Sequence, residues 1–153
     1  MPDVQPGQTL QTGPLLTKFE ITSGMVQGRY CMVRQTIAPG KLFWPHLHLN
    51  EDQVVIVLSG RIGARVGDCE WSAGIGDVIY RPRQAPHAIW NCESSPAEFL
   101  EITSPGSFEQ YFLELADISE SDETERLSPL LRRYEISGVE GWIGELGARY
   151  NVR

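Results

Sequence analysis

The apolar positions of this chain change their period near residue 105. From Leu15 to about Thr103 they come in short or alternating runs, each cut by Gly, Pro or Asp. Alternation with a period of two sends successive side chains to opposite faces of a strand. The clearest strand candidates are Arg29–Ile37, Gln53–Leu58, Ile62–Val66, Asp77–Arg81, His87–Trp90 and Glu98–Ile102. Many short strands separated by frequent turns predict an all-β antiparallel sandwich or barrel. Residues 1–14, with three prolines and two glycines, read as an extended arm ahead of it.

Beyond Pro105-Gly106 the spacing becomes helical. Ser107-Phe108-Glu109-Gln110 has the form of a capping box, with Ser107 as N-cap and Gln110 three residues on. Phe108, Tyr111, Phe112 and Leu115 then recur on one helical face, which predicts a helix packed on the barrel. Ser119–Glu125 is polar and acidic and reads as a solvated linker. Ser128-Pro129 restarts a helix, Ser as cap and Pro in the first helical position, with Leu130, Leu131 and Tyr134 as its buried stripe. A last short helix is expected over Trp142–Tyr150. The organisation expected is an arm (1–14), a barrel (15–106) and a helical extension (107–153) that packs on the barrel or on a dimer partner.

Composition narrows the partners. At 153 residues the chain is one domain's worth. Its net charge is -7 and its only adjacent basic residues are Arg132-Arg133, so nucleic acid and anionic membrane are poor partners. No apolar run reaches the length of a membrane span. The N-terminus lacks the basic start and apolar core of a secretory signal, so a cytoplasmic protein is expected. Cys31, Cys69 and Cys92 are odd in number and widely spaced, which argues against a disulfide framework or a zinc knuckle.

The chain has three histidines, and all lie in strand-like stretches. His46 and His48 are two apart, so a strand aims both imidazoles at one face. His87 follows a further strand pattern. Three neutral imidazoles meeting at a point are a standard way to hold a first-row divalent metal.

The surrounding residues carry a resemblance. Gly40, five residues, His46-Leu47-His48, four residues, Gln53, six residues and Gly60 resemble the first motif of the cupin superfamily. Gly76, five residues, Pro82-Arg83-Gln84, two residues, His87, three residues and Asn91 resemble the second. The helical tail led by Ser104-Pro105-Gly106-Ser107 is similar to that of small quercetinase-like cupins. The resemblance implies an antiparallel double-stranded β-helix (a jelly roll) with C-terminal helices. It also implies a metal held by His46, His48 and His87, and a homodimer.

Two positions depart from the motifs. Gln84 stands where the second motif has a turn glycine. Gln53 stands where the first motif has the carboxylate that is normally a fourth ligand. An amide leaves the ion its full double charge and removes a general base, because it accepts no proton near neutral pH. It favours an anionic substrate oxygen at the ion, or acts instead as a hydrogen-bonding group. Asp52 is one residue off and belongs to the other face of the strand, while Glu51 belongs to the turn.

Parity supplies the other candidates. Trp44 shares a face with the histidine pair, Val55 with Gln53 and Ile89 with His87, and these make an apolar substrate wall. Arg34, Tyr80 and Glu101 are polar groups inside strand patterns and stand as acid, base or anion contacts. Glu101, if it faces inward, is the base that Gln53 is not. The expectation is a metal-dependent enzyme acting on a small, largely apolar organic molecule. A dioxygenase-type reaction with O2 and Fe(II) comes first, with Ni, Zn, Mn, Co or Cu as alternative ions. A non-redox dehydratase, lyase, isomerase or cyclase, or a non-enzymatic ligand-binding barrel, are the alternatives.

Overall fold

The structure is a computed structural model in which residues 3–153 are described. Among these, eleven strands form two antiparallel sheets, and three α-helices follow the barrel. The strands are β1 (Thr9–Thr12), β2 (Leu15–Ile21), β3 (Cys31–Ile37), β4 (Leu42–His48), β5 (Asp52–Ser59), β6 (Ile62–Val66), β7 (Cys69–Ala73), β8 (Val78–Arg81), β9 (His87–Trp90), β10 (Ala97–Ser104) and β11 (Ile136–Gly138). One sheet runs β1-β2-β3-β10-β5-β8 and the other β11-β4-β9-β6-β7. This is the two-sheet antiparallel fold that the alternation predicts.

The alternation is read directly in burial. Along β3, Cys31, Val33, Gln35 and Ile37 are buried and the residues between them are not. The inner faces of both sheets meet in a core of Leu15, Ile37, Val57, Ile62, Ile79 and Phe99 with their neighbours. Burying such side chains contributes about 1.5–3 kcal/mol each. Toward one end of the barrel the inner face turns polar. There Arg81, Gln53 and Thr103 lie in one cross-strand row, and Ile79, Val55 and Glu101 lie in the next.

The outer face of the first sheet is also apolar. Met32, Ile102, Val54 and Tyr80 form one cross-strand row on it, and Arg34, Leu100, Ile56 and Val78 form the next. On the second sheet the outer face is covered by α3 (Trp142–Tyr150). Trp90 lies there against Leu42, Leu146 and Val152, with Tyr150 stacked on it at 4.8 Å.

The ends of the chain correct three expectations. Residues 9–12 of the expected arm are β1, paired with β2 from Thr9–Lys18 to Thr12–Leu15, while residues 1 and 2 lie outside the described residues. Ser107 does not cap a helix. It sits in a short 3-10 turn, Gly106–Phe108, ahead of α1 (Glu109–Ala116). The helix start is fixed instead by Glu109, whose carboxylate accepts the Ser23 N–H (2.7 Å) and hydroxyl (2.6 Å). Finally, α2 (Glu123–Arg133) begins inside the expected linker and holds Pro129 in its interior. Glu123 and Glu125 in the first turn and Arg132 and Arg133 in the last suit the helix dipole, and that charge order outweighs the Ser-Pro start signal. Leu130 is buried and Leu131 and Tyr134 are partly so, as the stripe predicts.

Gly63 of β6 lets the Trp90 ring lie flat across the sheet. A Cβ there would sit 2.0 Å from the indole. Gly63→Ala is expected to destabilise the fold by about 1–3 kcal/mol, measured by equilibrium denaturation.

Candidate metal centre

The three histidines converge. His46 and His48 lie on β4, and His46 is the register partner of His87 on β9. All three rings are buried, and their available ligand atoms lie within 4.8 Å of one another. The sheet achieves this with a bulge. The β4–β9 register slips between Phe43 and His46, so Phe43 and His46 face the interior although they are three residues apart.

That bulge corrects the substrate-wall assignment of Trp44. Phe43, not Trp44, lines the cavity beside the histidines, with its ring edge-on to His46 at 5.3 Å. Trp44 stacks on the back of Phe43 at 4.8 Å and packs toward α1 and the N-terminal strand.

The outer nitrogen of each ring faces an oxygen. His46 Nδ1 lies 2.7 Å from the Trp44 carbonyl and His87 Nδ1 3.2 Å from the Ala85 carbonyl. His48 Nδ1 faces the Glu51 carboxylate at a longer 3.4 Å. For His46 and His87 such partners fix the tautomer with the proton on Nδ1 and leave the Nε2 lone pair facing inward, whereas His48 Nδ1 lies near the carboxylate without a hydrogen bond. His46 and His48 Nε2 are 3.0 Å apart, and His87 Nε2 is buried without a partner.

Two lone pairs at that distance repel unless something positive stands between them. A proton on His48 Nε2 would leave its Nδ1 bare against a carboxylate. A divalent cation lets His46 and His87 keep their Nδ1 protons on the carbonyls and leaves the His48 Nδ1 proton facing the Glu51 carboxylate, so the residues fit a metal ion. Burial holds His46 and His87 well below the usual imidazole range and lowers His48 to about 3, with Arg81 adding to the shift. All three are therefore neutral, as ligands must be. Burial also raises the Glu51 carboxyl.

Gln53 stands next to the cluster with a defined orientation. Its amide nitrogen donates to Glu101 Oε1 and to Thr103 Oγ1, each at 3.2 Å. A carboxylate only accepts, so the amide carbonyl is the free end, and Gln53 Oε1 is buried without a partner. Behind it, Arg81 donates to the other oxygen of Glu101 in a buried ion pair. Glu101 thus faces inward, and each of its carboxylate oxygens is held by one neighbour.

Two of the polar candidates are corrected. Tyr80 is 58% exposed and belongs to the outer row, because Ile79 and Arg81 take the inward positions of β8. Arg34 is on the outer face too, bonded to Glu20 at 2.7 Å and to Glu98 at 2.9 Å. Val55 and Ile89 face inward but lie in the apolar core rather than on the cavity wall. Asp52 faces out and pairs with Arg83, and Glu51 stands behind His48 rather than beside Gln53.

Sequence reasoning missed Arg81, Phe43 and Gln35. Arg81 shares a face with Ile79, but β8 is apolar on both faces and its sequence does not say which of them is inward. Phe43 was not legible, because the bulge reverses the parity. The cavity itself is about 20 Å³, walled by the histidine pair, Gln53, Arg81, Glu101, Gln35 and Phe43 and roofed by Phe108, Tyr111 and Phe112. Phe108 sets its ring edge-on to His48 at 4.9 Å.

Known proteins place this arrangement. Residues 33–103 match the Cupin domain family. The chain therefore carries a small cupin domain, the class that its two sheets and histidine motifs define. Among solved structures it is similar to TT1209 from Thermus thermophilus, at 26% identity and TM-score 0.56, over 69% of this chain and 96% of that one. It is also similar to an RmlC-like cupin from Shewanella frigidimarina, at 16% identity and TM-score 0.57, over 68% and 88%. A third is the polyketide cyclase RemF from Streptomyces resistomycificus, at 19% identity and TM-score 0.56, over 68% and 79%. No curated protein matches the sequence. No helix among the described residues is long and apolar enough to cross a membrane.

The buried neutral histidines make the metal-free fold sensitive to acid. Their folded values lie below the unfolded value of 6.5, so the unfolded chain takes up protons first. Stability of the metal-free protein is expected to be full above pH 6.5 and to fall progressively toward pH 3. By pH 5 the His48 shift alone is expected to cost roughly 2 kcal/mol, with His46 and His87 acting in the same direction, read from urea midpoints across that range.

Proposed function

We propose that this chain is a metal-dependent enzyme acting on a small, largely apolar organic molecule. The observation that carries the reading is the convergence of three buried imidazoles, two of them oriented from behind by the Trp44 and Ala85 carbonyls and the third facing Glu51. A divalent ion held there supplies Lewis acidity toward a substrate oxygen. His46, His48 and His87 would hold it, with the Gln53 carbonyl as the fourth group. The first reading of the reaction is dioxygenase-type with Fe(II), as the resemblance to quercetinase-like cupins implies. Ni, Zn, Mn, Co and Cu suit the same donors.

One observation favours the non-redox alternative. Gln53 takes no proton, and both oxygens of Glu101 are occupied by Gln53 and Arg81. Glu51 stands behind His48 and does not line the cavity, and a cavity whose one lining carboxylate is held on both oxygens polarises and orients better than it shuttles protons. RemF, which shares the fold, is a polyketide cyclase, one of the reaction classes of this alternative. A ligand-binding barrel without turnover is the third reading.

Metal analysis tests the common premise. Wild type is expected to carry close to one divalent ion per chain, and His48→Ala is expected to bind at least about tenfold more weakly. Equal and negligible metal in both proteins would end the reading. With metal in place, oxygen uptake on enolisable and catechol-like compounds supports the dioxygenase, and turnover that survives strict anaerobiosis supports the lyase or cyclase. Ligand binding that persists after chelation, without turnover, leaves the binding barrel.

We also propose that the working unit is a homodimer joined through the outer face of the first sheet. Val78 and Tyr80 there are 61% and 58% exposed, beside the apolar rows of β5 and β10. Both rims are internally neutral. On one side Lys18 and Arg34 meet Glu20 and Glu98, and on the other Arg83 meets Asp52. A second copy of a chain with net charge -7 meets no excess of like charge on this face. Tyr80→Lys is expected to shift the protein toward monomer in sedimentation velocity, with the metal content unchanged. A wild-type monomer at all concentrations would remove the proposal.

A further inference from the structure

Buried polar atoms without a partner gather at the small cavity. Gln53 Oε1, Arg81 Nε and Gln35 Oε1 all belong to residues that line it. The first two lie at the histidine end. Gln35 does not, and the metal reading gives it nothing to do.

Gln35 sits on β3 with its side chain almost wholly inside, paired in register with Phe99 of β10 and Thr17 of β2. Its amide nitrogen donates to Thr17 Oγ1 at 3.2 Å, and Thr17 meets Thr12 Oγ1 at 2.6 Å. Thr12 in turn reaches the Leu15 carbonyl at 3.3 Å. A buried chain of hydroxyls therefore braces one end of the amide and leaves the other as an acceptor with no donor. An apolar side chain of the same size would fill this position at less cost, so the orphaned acceptor calls for a ligand.

The register places it. Gln53 lies in the row of Thr103, Glu101 in the next row and Gln35 in the third, with Phe99. Rows of like-facing residues are roughly 7 Å apart along the strands. Gln35 therefore serves the end of a ligand remote from the histidines. Phe43, Phe108 and Tyr111 give the space between them aromatic walls.

We propose that Gln35 is the second anchor of the substrate, accepting a hydrogen bond from a hydroxyl group. The substrate class is then a small aromatic or enolic acid, with its acidic oxygen at the histidine end and a hydroxyl at the opposite end. This rests on the metal-site reading above. The cavity holds about 20 Å³, little more than one water, so a ligand of this size requires the lining side chains to move apart.

The test is calorimetry on zinc-loaded protein with benzoate, 3-hydroxybenzoate and 4-hydroxybenzoate as rigid probes. Neither hydroxy acid can bring both its groups to one ion. In wild type 4-hydroxybenzoate is expected to bind about tenfold more tightly than benzoate. Gln35→Leu is expected to abolish that difference while benzoate affinity and zinc content stay as they were. Equal affinities in wild type, or a difference that survives Gln35→Leu, would overturn the proposal and leave a structural water as the partner of Gln35. Should Gln35→Leu fail to fold, 4-methoxybenzoate with wild type decides. It accepts but does not donate, and it is expected to bind no better than benzoate; binding as tight as 4-hydroxybenzoate overturns the proposal. A parallel titration of His48→Ala separates the two readings. Benzoate affinity unchanged there removes the metal site, whereas benzoate affinity lost there, with no hydroxyl effect in wild type, removes only Gln35.

Discussion

A guanidinium and a carboxylate face each other inside this barrel, and the functional end of the molecule is arranged around them. Arg81 on β8 and Glu101 on β10 flank β5, the strand that carries Gln53. Neither charge survives burial alone, because the desolvation of an unpaired ion exceeds what packing returns. Held together, they present one carboxylate oxygen to Gln53 and so fix which end of its amide faces the histidines. Thr103 supplies the second contact and removes the remaining rotational freedom.

Much of this was legible in the strand alternation. The parity of β5 put Gln53 and Val55 on one face, Glu101 entered only as a base conditional on facing inward, and the histidine spacing named three candidate ligands that the fold does bring together. What the alternation cannot carry is a change of phase. The bulge at Trp44-Pro45 lies between a strand's apolar half and its histidine half, and every parity argument across it inverts. Tyr80 and Arg34 failed for a different reason. A strand with apolar residues on both faces gives no signal as to which face is the core, and the first sheet is apolar on both.

The helical tail shows a similar limit. Its apolar stripe was readable, yet not its destination. Phe108, Tyr111 and Phe112 do more than cover a sheet, because they roof the cavity beside the histidines. Their position depends on Glu109 reaching Ser23, a contact 86 residues apart in the chain, and no local pattern announces it. Local capping rules favoured Ser107, and a tertiary contact prevailed over them.

Glutamine and glutamate codons differ by a single nucleotide, so position 53 is always one mutational step from the acid that the motif has there. The neighbourhood makes that step costly. A carboxylate at 53 would meet the oxygen of Glu101 where an amide N–H now lies, and two anions would share one guanidinium in a closed interior. The acid on β10 thus constrains residue 53 from across the sheet: with Glu101 and Arg81 in place, an acid at 53 calls for a second change on another strand.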